Sequence, residues 1–160
     1  MRLKRFMGIA LALVTISSVT GCAIGFDANT SRQQASGNGR FTTVGDLEIR
    51  GASIVANPEN PSKGTLLVTI YNAGDTDDSL VGVSSNGVTG QSDKAISLPA
   101  LQAVRVGFNS ATLVALASPN GLLVPGSFVP LTLNFANTTS AEMKLLVNTN
   151  DGIYSDVKIP

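Results

Sequence analysis

Gly64-Thr-Leu-Leu-Val-Thr-Ile-Tyr-Asn-Ala73 is the stretch whose reading decides the fold. Leu66, Val68 and Ile70 fall on one parity, and Leu67, Thr69 and Tyr71 on the other. An extended segment with this order is apolar on both faces, as a central strand of a sandwich is. Turn signals bound the stretch on both sides. Asn57-Pro-Glu-Asn-Pro-Ser-Lys-Gly64 precedes it, and Asn72-Ala-Gly-Asp-Thr-Asp-Asp78 follows.

The same grammar runs outward. Val44–Val55 alternates around Leu47, Ile49, Ala52 and Ile54 and reads as a strand. Leu80–Ser84 reads as a short strand, and Gly87–Asp93 as a polar, glycine-rich connection. Ala95–Leu98, Ala103–Phe108 and Ala111–Ala117 are further strand candidates. Pro119-Asn-Gly121 and Pro125-Gly126 are turns. Phe128–Ala136 reads as a strand alternating through Phe128, Val129, Leu131, Leu133 and Phe135, and Met143–Asn148 is the last clear strand. Asn150-Asp-Gly152 turns into a short Ile153-Tyr154 segment. After the amino terminus, no window of helical length carries apolar residues at i, i+3 and i+4. Short strands, frequent turns and 16 glycines point to an antiparallel β-sandwich.

The amino terminus has a different character. Met1-Arg-Leu-Lys-Arg5 is basic and Phe6–Ile16 is apolar. Ser17-Ser-Val-Thr-Gly-Cys22 follows, with the only cysteine of the chain. The apolar run is too short to span a bilayer, which needs about 20 residues, and has the order of a secretory leader. Val19-Thr20-Gly21-Cys22 resembles the bacterial lipobox. That resemblance implies cleavage before Cys22 and a diacylglyceryl thioether on its sulfur. The alternatives are an ordinary cleaved leader with a chance cysteine, and a redox thiol. Residues 23–40 are small and polar without periodicity and read as a flexible tether. The expected organisation is a leader over 1–21, a lipidated cysteine and linker over 22–40, and one β domain over 41–160. The expected location is the outer face of the cytoplasmic membrane, held by the amino-terminal lipid.

Composition narrows the chemistry. Eleven basic residues match eleven acidic ones. Arg2, Lys4 and Arg5 lie in the leader, so the remainder is slightly acidic, which argues against nucleic acid as a partner. There is no histidine, which excludes imidazole metal sites and His-dependent triads. One cysteine makes neither an intrachain disulfide nor a thiolate zinc cluster. No cofactor and no enzymatic activity are expected.

Several blocks resemble the periplasmic copper chaperone family PCuAC. Gly64–Ser85 has the family's strand ending in Asn-x-Gly, its acidic turn and its Leu-Val-Gly-x-Ser-Ser run. Leu98-Pro-Ala100 followed by Val104-Arg-Val106 is similar to its Ile-Pro-Ala strand. Val124-Pro-Gly-Ser-Phe-Val-Pro-Leu-Thr-Leu-Asn-Phe135 is similar to its Val-Pro-Leu-Thr-Leu strand. With the lipobox and tether, the chain resembles the LpqE-type lipoproteins of actinobacteria, a branch of that family. The resemblance covers about residues 44–150 and implies a cupredoxin-like Greek-key sandwich.

The family's Cu(I) ligands are two His and two Met, soft donors suited to that ion. By resemblance, the His-x-Met pair falls on Thr112 and Val114, neither of which is a soft ligand. The other pair belongs to the segment before Leu98-Pro-Ala100, and Asn86–Leu98 contains neither His nor Met. Met143 reads as a core residue on its strand. Asp75, Asp77 and Asp78 are candidates for a hard cation, and the alternative is an acidic turn held by backbone hydrogen bonds. Arg105 reads as a solvent-facing strand residue. The expected function is a non-catalytic, membrane-anchored binding sandwich without the family copper site, its partner an envelope protein, glycan or lipid. The alternative is a metal-binding chaperone with a different, oxygen-rich site.

Overall fold

The computed structural model describes residues 39–160. The leader, Cys22 and most of the tether lie outside the described residues. Ten strands follow in order: β1 (Arg40–Val44), β2 (Leu47–Asn57), β3 (Asn60–Asn72), β4 (Asp78–Ser85), β5 (Val88–Gln91), β6 (Ile96–Leu98), β7 (Ala103–Val106), β8 (Ala115–Ala117), β9 (Phe128–Phe135) and β10 (Ala141–Thr149). A 3-10 turn, Gly152–Tyr154, follows them.

Seven strands close into a ring in the order β2, β10, β9, β4, β5, β8, β3 and back to β2. β1 flanks β2, β7 flanks β3, and β6 flanks β4. The expected all-β, cupredoxin-like architecture is therefore observed, with one departure from a purely antiparallel sandwich. β2 and β10 run parallel, pairing Ile54 with Val147 and Ala56 with Thr149, and this pair closes the ring.

The long β2–β3 hairpin is the spine. Its turn is Pro58-Glu59, where the Asn57 side chain accepts the Glu59 N–H at 2.8 Å. The strand then resumes at Asn60, so the break expected up to Gly64 is shorter than its two prolines imply. Pro61 is tolerated there as one of the first residues of its strand. Val44–Val55 is two strands, reversed at Gly45-Asp46 with Gly45 at φ +54°. Glycine takes that backbone without a Cβ penalty. A bulge between Arg50 and Ser53, with Gly51 at φ +64°, explains why Leu47 and Ile49 share a core with Ala52 and Ile54 despite opposite parity.

β3 is apolar on both faces because it serves two cores. Leu66, Val68 and Ile70 enter the ring interior with Leu98, Leu131, Leu133 and Leu145. Leu67 points outward with Val55, and Val157 from the carboxyl-terminal segment covers both. Phe108, Tyr154 and Ile159 complete that outer cluster, Phe108 and Tyr154 edge to face at 6.5 Å. The Thr65 hydroxyl donates to the Lys158 carbonyl at 2.5 Å and ties the segment down.

Four further expectations differ from the structure. Gly87–Asp93 contains β5, a strand paired on both edges. β7 ends at Val106 because Gly107 has φ +87° and a Cβ there would lie 2.4 Å from the Leu66 carbonyl oxygen. Only Ala115–Ala117 of the expected strand Ala111–Ala117 joins the sheet. Ile153-Tyr154 belongs to the 3-10 turn instead of a strand.

Candidate binding groove

β4 pairs with β9 along one edge. On its other edge, β6 holds Asp78–Leu80 and β5 holds Val83–Ser85. Between these two partners the chain over Ser92–Ala95 swings away from β4. Opposite it, Ala111–Leu113 runs outside the sheet, and Val114 meets β3 through a backbone hydrogen bond before β8 begins. The space so left is a groove of about 940 Å³, with Val81 and Val83 on one side, Gln91 and Lys94 on the next, and Leu113 and Val114 across from them. Gly90 makes the tight wall: a Cβ on it would meet Val83 Cβ at 2.5 Å. Gln91–Ala95 are all exposed, and the Ser92 hydroxyl bonds the Lys94 carbonyl.

The two positions that by resemblance would carry a copper-binding pair fare differently. Val114 is buried and lines the groove floor, and its carbonyl accepts the Leu66 N–H at 3.1 Å. Thr112 does not line it; its carbonyl accepts the Gly107 N–H at 2.9 Å, and its N–H donates to the Ser110 hydroxyl at 3.0 Å. The side chains around the groove offer hydroxyl, amide, carboxylate and ammonium groups over an apolar floor. Such a lining suits a partly apolar ligand with a polar edge. Met143 sits in the ring core on β10, and Arg105 is exposed on β7.

The acidic turn lies at the end of the domain where β3 passes into β4. Asn72, buried, organises it. Its Oδ1 accepts the Gly74 N–H at 3.0 Å, while its Nδ2 donates to the Thr76 carbonyl at 2.8 Å and the Leu98 carbonyl at 2.9 Å. Asp75 is exposed. Asp77 is exposed and its Oδ1 accepts the Ala100 N–H at 2.8 Å. Asp78 is the first residue of β4, buried, and its Oδ1 accepts the N–H groups of Ser79 at 2.7 Å and Asn137 at 3.0 Å. Among the described residues, no group of three or more His, Cys, Asp or Glu could hold a metal ion. Two of the three carboxylates thus bond to backbone N–H groups that the turn would otherwise leave bare.

Burial pushes the Asp78 carboxyl up, but the Thr138 side chain and the amides of Ser79, Asn137 and Ala136 outweigh it and hold the carboxyl below its usual value near 3.8. Its Oδ2 is buried and makes no direct hydrogen bond, while Oδ1 takes the amides of Ser79 and Asn137. A carboxyl depressed on folding stabilises the domain above its unfolded pKa, and that stability is lost as pH falls through the folded value. Asp78→Asn is therefore expected to lower the melting temperature at neutral pH by about 5 °C. The gap from the parent narrows as the pH falls below the ordinary carboxylate range. Thermal melts over a pH series check this, and a gap that stays constant to low pH excludes the Asp78 charge as its source.

Three solved domains share this fold. The copper-bound PCuAC domain from PmoF2 is 21% identical, covers 69% of this chain and 98% of its own, and superposes with a TM-score of 0.60. The apo PCuAC domain from PmoF1 is 20% identical over 69% of this chain and 99% of its own, at 0.63. The apo PmoF2 PCuAC domain is 22% identical over 71% and 98%, at 0.57. No family model and no curated protein matches the chain. At this identity the likeness establishes the fold, a cupredoxin-like β domain of PCuAC type.

Proposed function

We propose that this chain is a membrane-anchored envelope lipoprotein whose PCuAC-type domain binds a partner without catalysis and has lost the copper chemistry of that family. The observation that carries the reading is the make-up of the groove. It is lined by Leu80–Val83, Gly90–Ile96, Pro160 and the Ala111–Ala115 segment; that last segment contains Thr112 and Val114, where by resemblance one copper-ligand pair would fall, and Gly90–Ile96 lies within Asn86–Leu98, the segment to which the other pair belongs. Val114 stands on its floor, Gln91 and Lys94 on its rim. Cu(I) needs two or more soft donors converging on one point. The chain has no histidine, Cys22 is taken by lipid on this reading, and Met143 is in the core. The groove therefore serves a different ligand, an envelope protein, glycan or lipid with an apolar part. Lack of a histidine base or a reactive thiol supports a binding role over an enzymatic one.

Competition for Cu(I) tests the loss. The purified chain is titrated anaerobically against a chromogenic Cu(I) chelator of nanomolar affinity. The expected result is no measurable withdrawal of the ion, in the presence or absence of Lys94→Ala. Removal of one equivalent overturns the reading and restores the chaperone function.

A further inference from the structure

Seven large hydrophobic side chains are more than two-fifths exposed among the described residues, and they are not spread evenly. Leu122, Val124, Phe128 and Ile153 gather toward one end of the ring. The β8–β9 loop that bears the first two is fixed there. The Leu123 N–H donates to the Pro61 carbonyl at 3.0 Å, and the Gly126 N–H to the Val147 carbonyl at 2.8 Å. Phe128 opens β9 directly after this loop. Thr149, paired with Ala56 beside the β2–β3 turn, leads within a few residues to Ile153.

The chain reaches the domain on the same flank. Arg40, at the start of β1, lays its guanidinium over the Phe128 ring at 5.6 Å and donates from Nε to the Lys144 carbonyl at 3.3 Å. The opposite end bears Asp46, Asp75, Asp77 and Asp78, joined by the Ala73 N–H donating to the Asp46 carbonyl at 2.8 Å. Leu101 stands alone among those carboxylates at 65% exposure.

We propose that the end carrying Leu122, Val124, Phe128 and Ile153 rests on the lipid bilayer that holds the anchor. The proposal rests on the lipoprotein reading above and adds an orientation to it. On that reading the tether before the described residues, 23–38, has a span of about 22 Å, while a domain of this size has a radius of gyration of about 14 Å. The domain therefore never leaves the neighbourhood of the surface. Tethering turns a contact too weak to hold a free domain into an intramolecular one. Half-exposed Leu, Val, Phe and Ile side chains lose water contact when they enter the headgroup boundary. Arg40, Lys63 and Lys144 at this end are nearly cancelled by Glu59 and Asp151, so apolar insertion dominates over attraction to anionic lipid. The carboxylates at the far end are repelled by anionic headgroups and set the same orientation.

Depth measurement on the full lipidated chain tests it. With Cys22 blocked by its own lipid, Asn120→Cys and Asp75→Cys each provide one site for a spin label, neither replacing an apolar contact. The chains are reconstituted into phosphatidylcholine–phosphatidylglycerol vesicles. The label at 120 is expected to be several-fold more accessible to oxygen, relative to a water-soluble nickel chelate, than the label at 75. Leu122→Ser with Ile153→Ser in the Asn120→Cys chain is expected to erase the difference while the protein still pellets with the vesicles. Equal accessibility at 120 and 75 in a chain that pellets overturns the docking and leaves the anchor standing. A chain that does not pellet overturns both.

Discussion

Leu133→Asp is expected to remove most of the domain's stability. Leu133 is fully buried in β9, with Ala141 of β10 on one side and Val83 of β4 on the other. A carboxylate there has no cation or donor within the ring to compensate it. Its burial costs several kcal/mol, against a total stability of about 5–15 kcal/mol for a domain. Leu133→Ala, which leaves only a cavity, is expected to cost about 2–5 kcal/mol. Far-UV circular dichroism with thermal melts ranks the two. A Leu133→Asp domain that melts with the parent would place that residue on the outside of the ring.

Cys22→Ala is expected to move the protein from the membrane fraction to the soluble one. Two acyl chains on one residue hold a protein stably where a single chain binds only marginally. On the lipoprotein reading, removing the sulfur removes the attachment point for both, and the chain has no other cysteine. Intact-mass spectrometry, membrane fractionation and a sodium carbonate wash of the parent and variant check this together. A variant that still gains lipid mass and still sediments would end the lipoprotein reading. The weak contact through Leu122 and its neighbours is not expected to retain the variant by itself.

The regular strands were legible because their own side chains carry the signal. β9 alternates without interruption, so its inward residues could be named, Leu133 among them, and the apolar run of β3 marked it as a central strand. Phe128 shows the limit: it opens an alternating strand but sits on the outward parity set by Val129, and it is 55% exposed. β5 was not legible. Val-Thr-Gly-Gln has one buried residue, Val88, and is a strand because β4 and β8 offer hydrogen-bonding edges on both sides. The Asn86-Gly87 pair before it, with Gly87 at φ +85°, was the available signal for that hairpin. Ala111–Val114 misleads in the other direction, since Leu113 and Val114 look strand-like while the regular ladder begins only at Ala115. The groove follows from both errors. It depends on where Ser92–Ala95 and Ala111–Val114 stand relative to β4, and no local pattern reports that. The acidic turn was readable in outline. What could not be read was that Asp77 and Asp78 spend their oxygens on Ala100, Ser79 and Asn137 from three different segments.

The parallel pair of β2 and β10 has a kinetic consequence. It joins nearly the first strand of the domain to the last, so the ring has a high contact order and one closing step. The β2–β3 hairpin is local and can form as soon as both strands are present. The interior it is meant to shield stays open along Ile54 and Ala56 until β10 arrives. A chain emerging amino terminus first thus carries an unsealed edge until its last strand is out. Folding is delayed until release, and a chain cut short before Ala141 keeps two bare strand edges, on β2 and β9, that invite aggregation.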